Sequence, residues 1–504
     1  MVDLASINIS QKVLSLIPKT TALEYNVLPL SAENGTIVVA LPENHNKELL
    51  NDLAFLLGKK IKVETVPPDI LSEAIKRFYE VTDVEARKAS ISSPIEISLL
   101  KDESFNKSGS HLPKNEISSD GSAVTLVNKI ISDAIHLRAS DIHVEPYERE
   151  LRIRYRLDGV LHEVMRPLFE KGKPLISLLK IMADLDIAEK RRPQDGRIRV
   201  KEDERMIDIR VSTLPTDFGE KVVLRILDKS SLQLDLAKLG FEDNDLALFQ
   251  KTIKLPFGMI LVTGPTGSGK TTTLYAALHH INQPEVNITT IEDPIEYNLV
   301  GINQTHVKSD IGLTFAAALR SILRQDPNVI MVGEIRDGET AEIAIRAALT
   351  GHLVFSTLHT NDAPSAVTRL IDMGVEPFLV GASVKMIVAQ RLLRKLCDEC
   401  KSQVQLTDED ITELQIENIR KGDKFYKAKG CSSCNHLGYK GRTAVYEILP
   451  IENGLSDLIA RSRNASEFRA KAKENGVQTL RDAALRKARL GVTTLDEVVR
   501  ETSI

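Results

Sequence analysis

Residues 261–271 read Leu-Val-Thr-Gly-Pro-Thr-Gly-Ser-Gly-Lys-Thr, a complete G-x-x-x-x-G-K-T pattern on Gly264, Gly269, Lys270 and Thr271. Each type answers a need of triphosphate chemistry. Gly264, Gly267 and Gly269 let successive N–H groups curl around a phosphate; Lys270 can reach the β/γ oxygens, and the Thr271 hydroxyl can ligate Mg²⁺. Pro265, Thr266, Ser268 and Thr272 complete the candidate phosphate-binding run. A glycine-rich turn without a ligand is the competing reading, and the surroundings weigh against it. Gly258–Val262 reads as a buried strand, and Leu274, Ala277, Leu278 and Ile281 fall on one face of a helix. Strand, glycine loop and helix together aim a helix N-terminus at an anion. The chain is expected to bind ATP with Mg²⁺.

Hydrolysis needs more than a cradle: a carboxylate to organise metal or water, and groups that orient the attack. Two segments offer carboxylates at strand ends. Thr290-Ile-Glu-Asp-Pro-Ile-Glu296 supplies Glu292 as a metal or water partner. Asn328-Val-Ile-Met-Val-Gly-Glu334 delivers Glu334 from an apolar strand, as in a Walker B element, and makes it the candidate general base. Gly333 stands where many such ATPases carry an acid, and either glutamate could simply cap the next helix. A third segment, Thr350 to Asp362, carries His352 and His359. Their odd spacing sends them to opposite faces of a straight strand, which argues against a shared metal. One or both are expected to sense the γ-phosphate; a structural histidine is the alternative.

The four cysteines, Cys397, Cys400, Cys431 and Cys434, form two C-x-x-C knuckles with none left over. Four thiolates from two tight turns suit a tetrahedral, structural Zn²⁺. A redox dithiol would want one such pair opening a helix of a thioredoxin-like unit, which the sequence does not show.

These groups must be held by several domains, since 504 residues exceed one core. Residues 1–88 read as a small α/β unit with strands near 36–41 and 60–66, and 89–120, rich in Ser, Lys, Asn and Gly, as a flexible linker. Residues 121–237 read as an α+β domain: a helix over Val124–Leu137, then a hairpin of Leu151–Leu157 and Val160–Met165 turned by Asp158-Gly159. Arg152, Arg154 and Arg156 share one face of that hairpin, most simply a solvated one. Residues 238–395 alternate strands and helices around the phosphate loop, 396–445 hold the cysteines, and 446–504 read as helical. Net charge is −4 and only 4% of residues are aromatic, with no Trp, so nothing advertises nucleic-acid binding. No apolar run reaches membrane-spanning length and no secretory signal is read, so a cytoplasmic protein is expected.

Read together, Ala139-Ser-Asp-Ile-His-Val-Glu-Pro146, Arg192–Arg197, Arg210–Pro215, the phosphate loop, Ile291–Glu296, Arg324-Gln-Asp-Pro327, Gly333–Asp337 and Thr350-Gly-His352 give a resemblance. In this order they are similar to the secretion ATPases that drive type II secretion and type IV pilus assembly, over nearly the whole chain. The resemblance implies a fold class of α/β type: a RecA-like P-loop domain preceded by an α+β (PAS-like) domain. It further implies a small N-terminal domain, a zinc insert and a helical tail. It implies that Arg210 and Arg225 reach the nucleotide phosphates, and that Arg320, Arg324, Arg336 and Arg369 lie near the site or at subunit contacts. It implies a homohexamer working with the cytoplasmic domains of inner-membrane platform proteins, peripheral at that membrane.

Type II secretion is the expected activity, with pilus extension second. Retraction is disfavoured because those motors generally lack the cysteine insert and the extra N-terminal domain. Residues 1–30 show no copy of the helical motif of relatives that bind cyclic-di-GMP, so that ligand is not expected. A ring nucleic-acid translocase is the alternative from another class. A nucleotide-gated adaptor without turnover is disfavoured by Glu334 and the arginines.

Overall fold

The computed structural model describes residues 26–33, 36–42, 60–79, 121–167, 172–202, 205–228, 233–406, 423–462 and 464–503, Ile419, and scattered positions between 7 and 22. The expected linker, 89–120, lies outside them. Two compact units result: Met1–His136 with Phe169–Glu189 and Val200–Glu204, and Leu137–Leu168 with Lys190–Arg199 and Arg205–Ile504.

In the first unit, strands β1 (Leu28–Glu33), β2 (Thr36–Pro42) and β3 (Lys60–Val66) form a small sheet, antiparallel then parallel, followed by helix α1 (Pro68–Phe78). Pro68 opens that helix, where its missing N–H costs nothing. Helices α2 (Gly121–His136) and α3 (Gly172–Met182) pack on each other in the same unit. The segment expected as one domain, 121–237, is therefore shared: its helices pair off and its strands belong mostly to the second unit.

Those strands are β4 (Asp141–Pro146), β5 (Leu151–Leu157), β6 (Val160–Met165), β7 (Gln194–Glu202), β8 (Arg205–Thr216) and β9 (Gly219–Asp228), in the order β6-β5-β4-β9-β8-β7. Asp158 and Gly159 sit at φ of 46° and 89°, the left-handed geometry a two-residue hairpin needs. Along β5 the burial alternates strictly, with Leu151, Ile153, Tyr155 and Leu157 inside. The arginine face is not freely solvated: Arg152 and Arg154 pair with Glu145, and Arg156 with Asp141.

The seven-stranded sheet comes next, after helix α4 (Asp243–Thr252). It contains β10 (Gly258–Thr263), β11 (Ile288–Glu292), β12 (Asn303–His306), β13 (Val329–Val332), β14 (Leu353–Leu358), β15 (Val384–Leu396) and β18 (Tyr439–Pro450), ordered β12-β11-β13-β14-β10-β15-β18; β16 (Ser402–Val404) and β17 (Phe425–Lys427) pair separately. All pairs are parallel except β15 with β18. Strand β10 is buried on both faces, as a central parallel strand must be. Its alternate residues feed two cores. Met259 and Leu261 join one built with helices α6 (Phe315–Ile322), α7 (Gly338–Leu349) and α8 (Ala363–Asp372); Ile260 and Val262 join another with α5 (Lys270–Ile281). Helix α9 (Pro377–Ser383) precedes β15, and after β18 come α10 (Asn453–Arg461), α11 (Ala465–Glu474), α12 (Leu480–Arg489) and α13 (Leu495–Thr502).

The boundaries expected at 395/396 and 445/446 fall inside β15 and β18. These strands pair from Met386 with Pro450 to Leu396 with Tyr439, with one register shift between Arg394 and Leu396, so the cysteine insert is the far end of the nucleotide sheet's own edge ladder. Apolar runs alone do not reveal that ladder, because a pairing partner 43 to 64 residues away leaves no local period. Among the described residues, no helix is long and apolar enough to cross a membrane.

Candidate active site

The carboxyl ends of β10, β11, β13 and β14 converge, and in an open parallel sheet that edge borders the ligand crevice. From β10 the chain enters the loop through Gly264, whose φ is +149° and where a Cβ would stand 2.6 Å from the Gln390 carbonyl oxygen. Only glycine fits there. Gly269, at φ +88°, forms the N-cap of α5, so Lys270 and Thr271 open the helix and present its free N–H groups. Ser268 is buried, whereas Thr271 is exposed and Thr272 half-buried.

Lys270 is 9% exposed, and its ammonium donates to the carbonyls of Gly264 (2.8 Å) and Pro265 (3.0 Å). Burial draws its pKa down to about 8; Glu334 opposes the shift and Arg391 adds to it. Glu334 therefore lies within electrostatic reach of the loop lysine. Its Oε1 is paired with Arg336, and its Oε2 is 3.3 Å from His359 Nε2. The same Arg336 approaches Asp293 at 3.8 Å. Gly333 makes this possible: a Cβ there would lie 3.1 Å from the Ile291 carbonyl, so the smallest residue lets β13 close against β11 before releasing Glu334.

Glu292 departs from its expected role. It is 4% exposed; Oε1 accepts from Thr290 Oγ1 (2.6 Å) and Gln304 Nε2 (2.9 Å), and Oε2 accepts from the Tyr275 hydroxyl. Three donors consume a buried carboxylate, which is thus committed to holding β11, β12 and α5 together. Burial, then Glu292, push the Tyr275 phenol far up, so it stays a donor. The acid that this segment brings toward Arg336 is Asp293.

The two histidines separate. His359 leaves the carboxyl end of β14 beside Glu334, but His352 precedes β14. Its carbonyl accepts from Gly258 N at the start of β10, and its Nδ1 lies 3.0 Å from Ala347 O. A strand of six residues spans about 20 Å, so His352 is at the opposite edge from this chain's own phosphate loop. Within this chain His352 is thus apart from the phosphate loop, and of the two histidines expected to sense the γ-phosphate it is His359 that lies beside Glu334.

The arginines divide similarly. Arg210 reaches the acidic segment, donating to Ile295 O (3.0 Å) and pairing with Glu296 (2.9 Å). Arg225 is held within its own sheet by Asp141 at 3.2 Å and does not touch this chain's loop. Arg320 pairs with Glu339, Arg324 bonds the Arg320 carbonyl (2.9 Å) in the same turn, and Arg369 stands exposed on α8. Among the described residues, none of these three touches the phosphate loop.

One group escaped sequence reasoning. Arg391 is 7% exposed beside Gly264, with Nη1 on Gln390 O (3.1 Å) and Nη2 on Asn361 O (3.0 Å) and Oδ1 (3.2 Å). Burial lowers its pKa. Next to it, Gln390 Oε1 accepts from Thr273 Oγ1 at 2.8 Å. The only trace in sequence is a polar Gln-Arg pair inside the apolar run Val384–Leu396.

Away from this edge, the four Sγ atoms of Cys397, Cys400, Cys431 and Cys434 lie within 4.8 Å of one another. Neighbouring pairs are 3.8, 3.8 and 3.7 Å apart. Zn–S bonds of about 2.3 Å give a tetrahedral edge of about 3.8 Å, whereas a disulfide needs about 2.05 Å. Backbone N–H groups of Gly430, Cys431 and Gly438 point at sulfurs at 3.2–3.3 Å, as thiolates require.

Residues 116–500 match the family described as type II/IV secretion system protein, and residues 1–85 match the MshEN domain. The chain is 47% identical over 507 positions to the type IV pilus assembly ATPase PilB of Myxococcus xanthus, covering 100% of this chain and 88% of that one. It is 44% identical over 495 residues to the type II secretion system protein E of Dickeya dadantii, covering 97% of each. Among solved structures, the Legionella pneumophila ATPase DotB shares the fold, with a TM-score of 0.55 at 20% identity over 74% of this chain and 94% of that one.

Proposed function

The chain belongs to the type II/IV secretion system protein family of ATPases, and from that premise we propose that it is a cytoplasmic homohexamer, peripheral at the inner membrane, which hydrolyses MgATP to power protein export by a type II secretion system. The observation that supports this reading best is the placement of Glu334. It stands at a strand end within electrostatic reach of Lys270, its two oxygens engaged by Arg336 and His359. A carboxylate so fixed can accept a proton from water attacking the γ-phosphate, while Lys270 and the helix N-terminus hold the β/γ oxygens. Thr271 would hold Mg²⁺ by its hydroxyl, and the ion would supply charge neutralisation on the phosphates.

Arg210, already at the acidic segment, and Arg225 complete the charge around the phosphates. His359 senses the γ-phosphate through Glu334. Residues 1–88 dock on the cytoplasmic domains of inner-membrane platform proteins, 121–237 supply the arginines, and Cys397, Cys400, Cys431 and Cys434 hold one structural Zn²⁺. Pilus assembly remains the second reading, supported by 47% identity along the whole chain to a pilus assembly ATPase.

Glu334→Gln tests the chemistry: ATP affinity should stay within a few-fold while kcat falls on the order of 10²-fold or more. A near-normal kcat would remove Glu334 from the mechanism. The same substitution made in the cell decides between the machines. Loss of exported protein from the medium with normal surface pili supports secretion, and the reverse supports pilus assembly.

A further inference from the structure

The segment Ala139–Pro146 has no part in the site described so far, yet it organises the sheet that carries Arg210 and Arg225. Register sets Asp141 on β4 opposite Arg156 of β5 on one side and Arg225 of β9 on the other, and Arg225 is in turn opposite Arg210 of β8. Four charged residues thus form one row across four strands, on one face of the sheet. Asp141 is 7% exposed and its carboxylate is divided between two guanidinium groups. Oδ1 takes Arg225 Nε at 3.2 Å, and Oδ2 takes Arg156 Nε at 3.3 Å as well as the Ser140 hydroxyl at 2.8 Å.

Gripping an arginine by Nε has a specific consequence. The planar guanidinium is oriented, and its terminal nitrogens remain to meet an oxyanion bidentately. Among the described residues the Arg225 side chain makes no other hydrogen bond or ion pair, and Arg156 spends only Nη1, on the Gly159 carbonyl at 3.0 Å. His143, two residues along β4 on the same face, does not compete. It is buried, and neither ring nitrogen has a partner among the described residues. Burial first, then Arg156, lower its pKa and keep it neutral, although Asp141 and Glu145 act the other way and Lys221 adds to the lowering. Glu145 is already occupied by Arg152, Arg154 and Lys221.

We propose that Asp141 is a positioning residue: it fixes Arg225 and Arg156 by their Nε atoms, so that their terminal nitrogens form a guanidinium array for the nucleotide's phosphates, in one row with Arg210, which joins it on leaving Glu296 and the Ile295 carbonyl. This rests on the reading that Arg225 meets those phosphates, and it adds Arg156 to the set.

The test is the affinity of the assembled full-length enzyme for a non-hydrolysable MgATP analogue, with the thermal unfolding midpoint measured alongside. Asp141→Asn should weaken binding on the order of ten-fold, since misdirected charge-assisted contacts are lost. Its unfolding midpoint should stay close to that of the parent, and Asp141→Glu should recover part of the affinity. In an Arg156→Ala/Arg225→Ala chain, Asp141→Asn should produce no further loss. An equal further loss in that background, or unchanged affinity of the single variant while Arg225→Ala is impaired, overturns the proposal. If Arg225→Ala itself binds and turns over normally, the underlying reading fails instead.

Discussion

Lys270 shows how much of a site residue is visible from sequence and how much is not. Its identity and partners follow from the G-x-x-x-x-G-K-T spacing, but its titration does not, because that depends on how deeply the loop is packed against Gln390 and Arg391. Burial brings it to about 8, so the free enzyme begins to lose the ammonium above that pH, whereas bound phosphates favour the charged form. Nucleotide binding should therefore take up a proton as pH rises through about 8, and apparent affinity should fall with further alkalinity. Calorimetric titrations in buffers of different ionisation heat read this directly. Binding without proton uptake above that pH would show that Lys270 is charged throughout. The same limit explains Glu292 and His352. Both carry the residue type that chemistry wants, but Tyr275, Thr290 and Gln304 engage the first, and the second begins its strand where His359 ends it. Residue type and local spacing do not tell which end of a strand faces the ligand.

At the level of elements, local signals served where the interaction is local. The hairpin Leu151–Leu157 and Val160–Met165 is read to the residue from its period and its Asp-Gly turn. The β15–β18 ladder is invisible for the opposite reason, since its partners are separated by the cysteine insert. On the proposal that the cysteines hold zinc, that ladder gives the metal a wider task. Cys397 directly follows β15, and its N–H donates to Gly438 O at 3.0 Å, just before β18 begins. The knuckles thus clamp the open end of two strands, one of which lies beside β10. Metal analysis should find about one zinc per chain. Stripping it with a chelator should release exchange protection at amides of 391–396 and 439–445, with β10 amides still protected, because fraying starts at the unclamped end. A full set of titratable thiols in the native protein without metal would falsify the zinc assignment. Unchanged protection after removal would reduce the metal to a local loop staple.

For the molecule as a whole, the arrangement of charge argues against a self-sufficient single chain. Arg225 is held at Asp141; Arg320 and Arg369 stand exposed on helices and Arg324 in the turn after α6, none of them touching this chain's phosphate loop. A transferred phosphoryl group develops charge that guanidinium groups stabilise, often by orders of magnitude. If those groups come from neighbouring subunits or from a rearranged domain, turnover must depend on assembly. Activity per chain should then rise with protein concentration and with enforced hexamerisation. A membrane-platform partner should raise it further, but only by binding the active arrangement more tightly than the inactive one. Removing residues 1–120 should abolish that last stimulation while leaving the rise with concentration, since the arginines and the phosphate loop lie beyond 120. The measurement is an ATPase assay across concentration on both lengths of chain, with mass determined at each point. Full-rate turnover by a demonstrated monomer, independent of concentration, would leave no role for the exposed arginines between subunits and would favour a nucleotide-hydrolysing switch over a ring motor.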